Sequence, residues 1–71
     1  MEFDFSKLLG RMKERREGQR EMAAATGMDK STFNQKINNH SEFTQSEIIR
    51  ICDRLEIPYS QIPLYFFRLR E

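Results

Sequence analysis

Residues 19–38, QREMAAATGMDKSTFNQKIN, constrain this chain more than any other stretch. They predict two short helices joined by a tight turn. The first spans about Gln19 to Thr26, with Met22, Ala23 and Thr26 on one side. Gly27 follows where a helix end wants a residue that tolerates positive φ. Met28 is apolar and can fold back under the turn. Asp29 can cap the next helix by accepting from its free backbone N–H groups. That second helix spans about Lys30 to Asn38 and buries Phe33 and Ile37, one turn apart. At roughly 100° per residue, Ser31, Asn34, Gln35 and Asn38 share an arc away from that pair. The outward arc is rich in amides and hydroxyls and nearly free of carboxylates. A helix face meant only for solvation more often carries Glu and Lys.

This stretch resembles the helix-turn-helix of the Cro/CI-type phage repressors. The residues that carry the resemblance are Gln19, Ala23, Gly27, Met28, Phe33 and Ile37. Each has a physical reason: Ala23 is small where two helices cross, Gly27 makes the turn, and the last three lock the second helix onto the bundle. In that family the second helix enters the major groove. The resemblance therefore implies Lys30, Ser31, Asn34 and Gln35 at base edges, with Asn38 on the same arc a further DNA-binding candidate. It implies Gln19 near a phosphate. If the chain reads DNA, Arg11, Arg16, Arg20 and Lys36 are the cations expected to hold the backbone. The fold that the resemblance implies is an all-α, lambda-repressor-like DNA-binding domain: a compact bundle of about five short helices, filling residues 1–71 as a single domain.

The flanks fit one small bundle. Seventy-one residues hold one domain with a thin core. Residues 4–16 predict the first helix, with Asp4 as N-cap, Phe3 and Leu8 as a hydrophobic staple, and Phe5, Leu8, Leu9 and Met12 as the buried stripe. Gly18 is expected to end it. Asn39 can take a left-handed conformation before the loop, where Phe43 is expected to plug the core and the lone His40 to face solvent or DNA. Thr44 to Glu47 has the pattern of a capping box. It opens a helix from about Gln45 to Leu55 with Ile48, Ile49, Cys52 and Leu55 inward. Ile57-Pro58 closes it. A last short helix begins near Tyr59 or Ser60, and Pro63 falls in its first turn or breaks it.

Charge matters here for its distribution. The net charge is only +1, but between Lys7 and Lys36 eight basic residues stand against four acidic ones. A local excess of that size binds phosphate modestly. A single chain is thus expected to bind DNA weakly. The terminus is unusually apolar: Leu64, Tyr65, Phe66 and Phe67 follow Pro63. A chain this small cannot readily bury them all. Some are expected to fold onto the first and fourth helices, and the remainder to leave an exposed patch, with residues 64–71 an interface tail and Tyr65, Phe66 and Phe67 its candidate residues; the alternative is that all of them complete the core.

The start MEFDFSKLLGRM, the ending IPLYFF and the length are also similar to the small Cro-position regulators of temperate phages of Gram-positive bacteria, including the modulator-of-repression group, MOR. That resemblance implies a role in the lysis–lysogeny switch, opposing or assisting a CI-type repressor. Two function classes stay open: a reader of double-stranded operator DNA, and a protein-interaction module that binds the repressor. A homodimer fits the first, since operators of this class present half-sites about 34 Å apart. An enzyme is excluded at this level: one His, one Cys and no Gly-rich phosphate loop supply no acid, base, nucleophile or metal set. No cofactor and no metal site are expected. No stretch approaches the ~20 apolar residues of a membrane span, and the acidic start lacks a signal peptide's basic region. A single cysteine fits the bacterial cytoplasm.

Overall fold

The computed structural model describes residues 1–71. Helix α1 covers Ser6–Glu14, α2 Gln19–Ala25, α3 Lys30–Ile37 and α4 Gln45–Leu55. A 3₁₀ turn, Tyr59–Gln61, runs straight into α5, Ile62–Phe66. The architecture is all-α, and a single antiparallel bridge joins Phe3 to Leu69. No helix is long and apolar enough to cross a membrane.

Four of the five helices stop by the same device. A residue with positive φ follows each: Arg16 (57°), Gly27 (81°), Asn39 (66°) and Glu56 (55°). The next N–H then turns back onto the last turn. Glu17 donates to the Met12 carbonyl at 2.8 Å, Met28 to Ala23 at 2.8 Å, His40 to Gln35 at 2.8 Å and Ile57 to Cys52 at 2.9 Å. These are Schellman closures, which satisfy carbonyls that the helix leaves free. Gly27 and Asn39 play the parts expected of them. Gly18 does not: α1 ends two residues earlier on Arg16, and Gly18 is the extended N-cap of α2. The end of α4 is likewise set by Glu56, before Pro58 can act.

The start of α1 also differs from the expectation. The Asp4 N–H donates to the Arg68 carbonyl at 2.7 Å, which holds that residue outside the helix, whose N-cap is Phe5. The helix therefore begins at Ser6, and the Asp4 carboxylate accepts from the Ser6 N–H at 2.9 Å. At α4 the capping box forms as read, between Thr44 and Glu47.

The core is built from one stripe per helix. Leu8 and Met12 come from α1, Met22 and Ala23 from α2, Phe33 and Ile37 from α3, and Tyr65 and Phe66 from α5. From α4 the inward residues are Ile48, Ile51, Cys52 and Leu55, an i, i+3, i+4, i+7 set. Ile49 lies on the rim instead, about 100° round from Ile48. Leu9 is also on the rim. Phe43 plugs the loop as expected. Its ring meets Phe5, Phe33 and Phe66 edge-on, with centroids 5.5, 5.8 and 5.6 Å away.

Residues 64–71 are not a loose tail. Tyr65 and Phe66 are buried, at 8% and 2% exposure. Lys7 covers the Tyr65 ring, its ammonium 5.1 Å from the centroid. Two of the three aromatic residues expected at an interface therefore complete the core, because α5 packs across α1. Phe67 alone stays half exposed, joined by Leu64 and Leu69. Beyond α5 the chain runs back along its own beginning.

Arg16 holds a left-handed backbone that a side chain with a Cβ disfavours. Replacing Arg16 with Gly is expected to raise stability by about 0.5–1 kcal/mol, read as a higher urea midpoint at unchanged slope. A lower midpoint would contradict the account of how α1 ends.

Candidate nucleic-acid interface

Helices α2 and α3 are held at a fixed angle by small and apolar groups. Ala23 is 1% exposed, which allows close approach of the two helices. Thr26 is buried, and its hydroxyl donates to the Met22 carbonyl at 2.7 Å, so it costs no unsatisfied group. The turn runs from Thr26 to Asp29. Met28 is partly buried against the core. The Asp29 carboxylate accepts from the Thr32 N–H at 2.7 Å and caps α3. That bond holds its carboxyl below the usual range. Arg50, on α4, donates to the Thr26 carbonyl at 3.4 Å and braces the turn from behind.

With Phe33 and Ile37 turned inward, the other face of α3 is presented to solvent. Lys30, Ser31, Asn34, Gln35 and Asn38 are all exposed. They are not independent of each other. Asn34 donates to the Gln19 side-chain oxygen at 3.2 Å, tying α3 to the start of α2. Asn38 donates to the Asn34 carbonyl at 2.9 Å and to its side-chain oxygen at 3.2 Å. The result is a row of three amides, Gln19, Asn34 and Asn38, that crosses from one helix to the other. Beside it is a shallow, wholly polar depression lined by Gln19, Arg20, Glu21, Lys30 and Asn34. Arg20 and Lys30 supply positive charge there, and Glu21 partly offsets it.

Two expected backbone contacts are removed by the structure. Lys36 is only 9% exposed and points into the bundle. Its ammonium lies 2.6 Å from the Glu47 carboxylate. The same carboxylate oxygen accepts from the Thr44 N–H at 2.8 Å, so Lys36 is locked to the capping box of α4. It ties α3 to α4 and does not face outward. The reason is position: Lys36 precedes Ile37 on the inward side of α3. Arg11 is likewise engaged. Its Nε donates to the Leu55 carbonyl at 3.0 Å, and its guanidinium reaches Glu14 at 3.4 Å. Arg15 pairs with Glu56 at 2.8 Å, and Arg54 with Glu17 at 2.6 Å. Among the basic residues between Lys7 and Lys36, Lys7, Lys13, Arg16, Arg20 and Lys30 are exposed without an ion-pair partner, and of these Arg20 and Lys30 line the polar depression beside α3. His40 is exposed on the loop beyond α3.

Sequence reasoning missed one clasp. Asn39 sits at the left-handed turn after α3, and its side-chain amide bonds both backbone groups of Phe3. Its oxygen accepts from the Phe3 N–H at 2.8 Å, and its nitrogen donates to the Phe3 carbonyl at 3.0 Å. The end of α3 is thereby fastened to the N-terminal segment. No local signal in the sequence points to this pairing.

The family model described as "Protein of unknown function (DUF739)" matches residues 1–69. No curated protein matches the chain.

The Lys36–Glu47 pair yields a test of what seats α3. Burial pushes the Glu47 carboxyl up, but hydrogen bonds from Lys36 and Thr44 and the Lys36 charge outweigh it, and the net shift is downward. A lowered carboxyl pKa adds stability that is present above the unfolded value, about 4.3, and is lost as pH falls through the folded value. Glu47→Gln is expected to cost roughly 2 kcal/mol near neutral pH, because it leaves the Lys36 ammonium without its counter-charge. It should also flatten the loss of stability on acidification. Urea unfolding as a function of pH checks both; an unchanged acid limb would contradict the assignment.

Proposed function

The chain belongs to the DUF739 family, and we propose that it is a phage transcription regulator of the lysis–lysogeny switch, Cro-like or MOR-like, whose α3 reads operator DNA. The observation that supports this reading is the outward face of α3. Five polar side chains are displayed there on a helix whose opposite face is fixed by Phe33 and Ile37. Helices of this width fit the major groove. Side-chain amides are the groups that bond adenine through paired donor and acceptor, so Asn34 and Gln35 are assigned to base edges. Ser31 is placed to bond either base or phosphate. Lys30 reaches guanine or phosphate, and Gln19, Arg20 and Arg16 hold the backbone.

The electrostatics set the strength. Of the eight basic residues between Lys7 and Lys36, Lys36, Arg11 and Arg15 are engaged internally and Lys7 covers Tyr65; of those left, Arg16, Arg20 and Lys30 are the three assigned to phosphates in this reading. The affinity should then fall with salt with a log–log slope of about −3, far shallower than for a large basic reader. A lone chain is a weak binder, and operator occupancy would rest on a second protein.

That second protein is, in this reading, a CI-type repressor. The observation favouring it is the exposed apolar set Leu64, Phe67 and Leu69 at one end of the bundle. Co-elution of the pure chain with the cognate repressor in the absence of DNA is the expected outcome. Separate elution at micromolar concentrations would remove the repressor from the account.

For the DNA half, Asn34→Ala with Gln35→Ala is expected to abolish preference for switch-region DNA over random DNA. Each lost base contact is worth about 1–3 kcal/mol. Asn34→Ala gives up its bonds with Gln19 and Asn38, but these are solvent-exposed and both side chains are exposed, so thermal stability should fall only slightly. Retained sequence preference in a labelled-DNA titration would contradict the assignment of α3.

A further inference from the structure

The two ends of the chain form a two-strand ribbon with one closed edge and one open edge. Around the Phe3–Leu69 bridge, the Asp4 N–H donates to the Arg68 carbonyl at 2.7 Å and the Arg70 N–H to the Glu2 carbonyl at 2.9 Å. In this antiparallel pattern the backbone groups of Phe3 and Leu69 themselves point outward, away from each other. Those of Phe3 meet the Asn39 amide, which fills the place of a neighbouring strand. Those of Leu69 meet nothing: neither its N–H nor its carbonyl bonds any group of the chain. Leu69 is 54% exposed, with half-exposed Phe67 two residues before it.

Charge distinguishes what can add to that edge. The inner strand reads Glu2-Phe3-Asp4 and the outer strand Arg68-Leu69-Arg70. Acid faces base across the ribbon, and Arg70 reaches Glu2 at 2.9 Å. Continuing the alternation, a third strand next to Arg68 and Arg70 should again be acidic. A second copy of this ribbon fits badly. Antiparallel pairing of Leu69 with its twin would set Arg68 opposite the twin's Arg70, and like charges directly opposed destabilise a sheet.

We propose that the open edge at Leu69 docks an extended segment of a partner protein, one with carboxylates flanking an apolar residue. The segment adds as a strand, exchanging backbone hydrogen bonds with Leu69 and placing its carboxylates beside Arg68 and Arg70. This is strand addition to an exposed edge, in which backbone bonds give affinity and side-chain pattern gives specificity. It refines the partner-binding half of the proposed function and is independent of the DNA half. Asn39 adds a consequence: because it clasps the other side of the same ribbon, a docked segment is connected through Phe3 to the end of α3.

The test is a titration of the isotope-labelled full chain with a capped peptide of alternating glutamate and valine, and with its lysine–valine counterpart. The acidic peptide is expected to shift the Leu69 amide resonance and slow its hydrogen exchange by about tenfold or more at saturation. The lysine peptide should do neither. Leu69→Pro deletes the outward N–H without touching the Asp4–Arg68 and Arg70–Glu2 bonds, and is expected to lose the peptide; Leu69→Thr keeps the N–H and should retain it. An unmoved Leu69 amide at millimolar acidic peptide, equal binding of the two peptides, or undiminished binding by Leu69→Pro would each overturn the proposal. Repressor co-elution alongside a failed peptide titration would place the partner elsewhere on the surface and leave the partner reading standing.

Discussion

The Phe43 ring holds the molecule together. It projects from an irregular loop, and it is the point where α1, α3 and α5 meet, through Phe5, Phe33 and Phe66. Edge-to-face aromatic contacts add directional preference to simple burial, about 0.5–1.5 kcal/mol per pair. That preference matters in a chain with so little core. Phe33 is fully buried, so the rotation of α3 about its axis is set by this cluster. Once Phe33 is fixed inward, the helical repeat leaves Ser31, Asn34, Gln35 and Asn38 no option but solvent. The outward polar face is a consequence of the aromatic one.

Charge is used in the same way, to hold elements together before it is available to any ligand. Lys36 and Glu47 join α3 to α4. Arg15 and Glu56 join the two left-handed helix ends of α1 and α4, and Arg54 reaches Glu17 in the α1–α2 link. Of the cations left without a carboxylate partner, Arg20 and Lys30 line the depression between α2 and α3. A surface with rigid, pre-bonded amides and few free charges gains specificity from geometry and little affinity from electrostatics.

The sequence announced its helices because each is written in short-range terms. Asp29, Thr44 and Glu47 cap by local bonds, and Gly27 needs only its own backbone freedom. The inward residues of α3 and most of α4 follow from period alone. Three of the errors trace to long-range contact, whereas Gly18, Leu9 and Ile49 are misplaced by a local reading of helix end and period. Asp4 was drawn out of its capping role by Arg68, at the far end of the chain. Lys36 looked like a surface lysine until Glu47 arrived beside it. Tyr65 and Phe66 looked superfluous because no local signal says that α5 lies across α1. Arg16 at a helix end shows that a left-handed residue need not be a glycine. The ribbon of Glu2–Asp4 against Arg68–Arg70 is not read from the sequence, because it joins segments separated by nearly the whole chain.

The most direct test is to map backbone amide shifts in the labelled chain as prophage switch-region DNA is added at moderate salt. Shifts confined to Gln19, Arg20, Lys30, Ser31, Asn34, Gln35 and their neighbours, and absent with random DNA of equal length, are the predicted result. Shifts spread without sequence preference, or centred on residues 64–70 with α3 untouched, would contradict the claim that α3 is a reading helix.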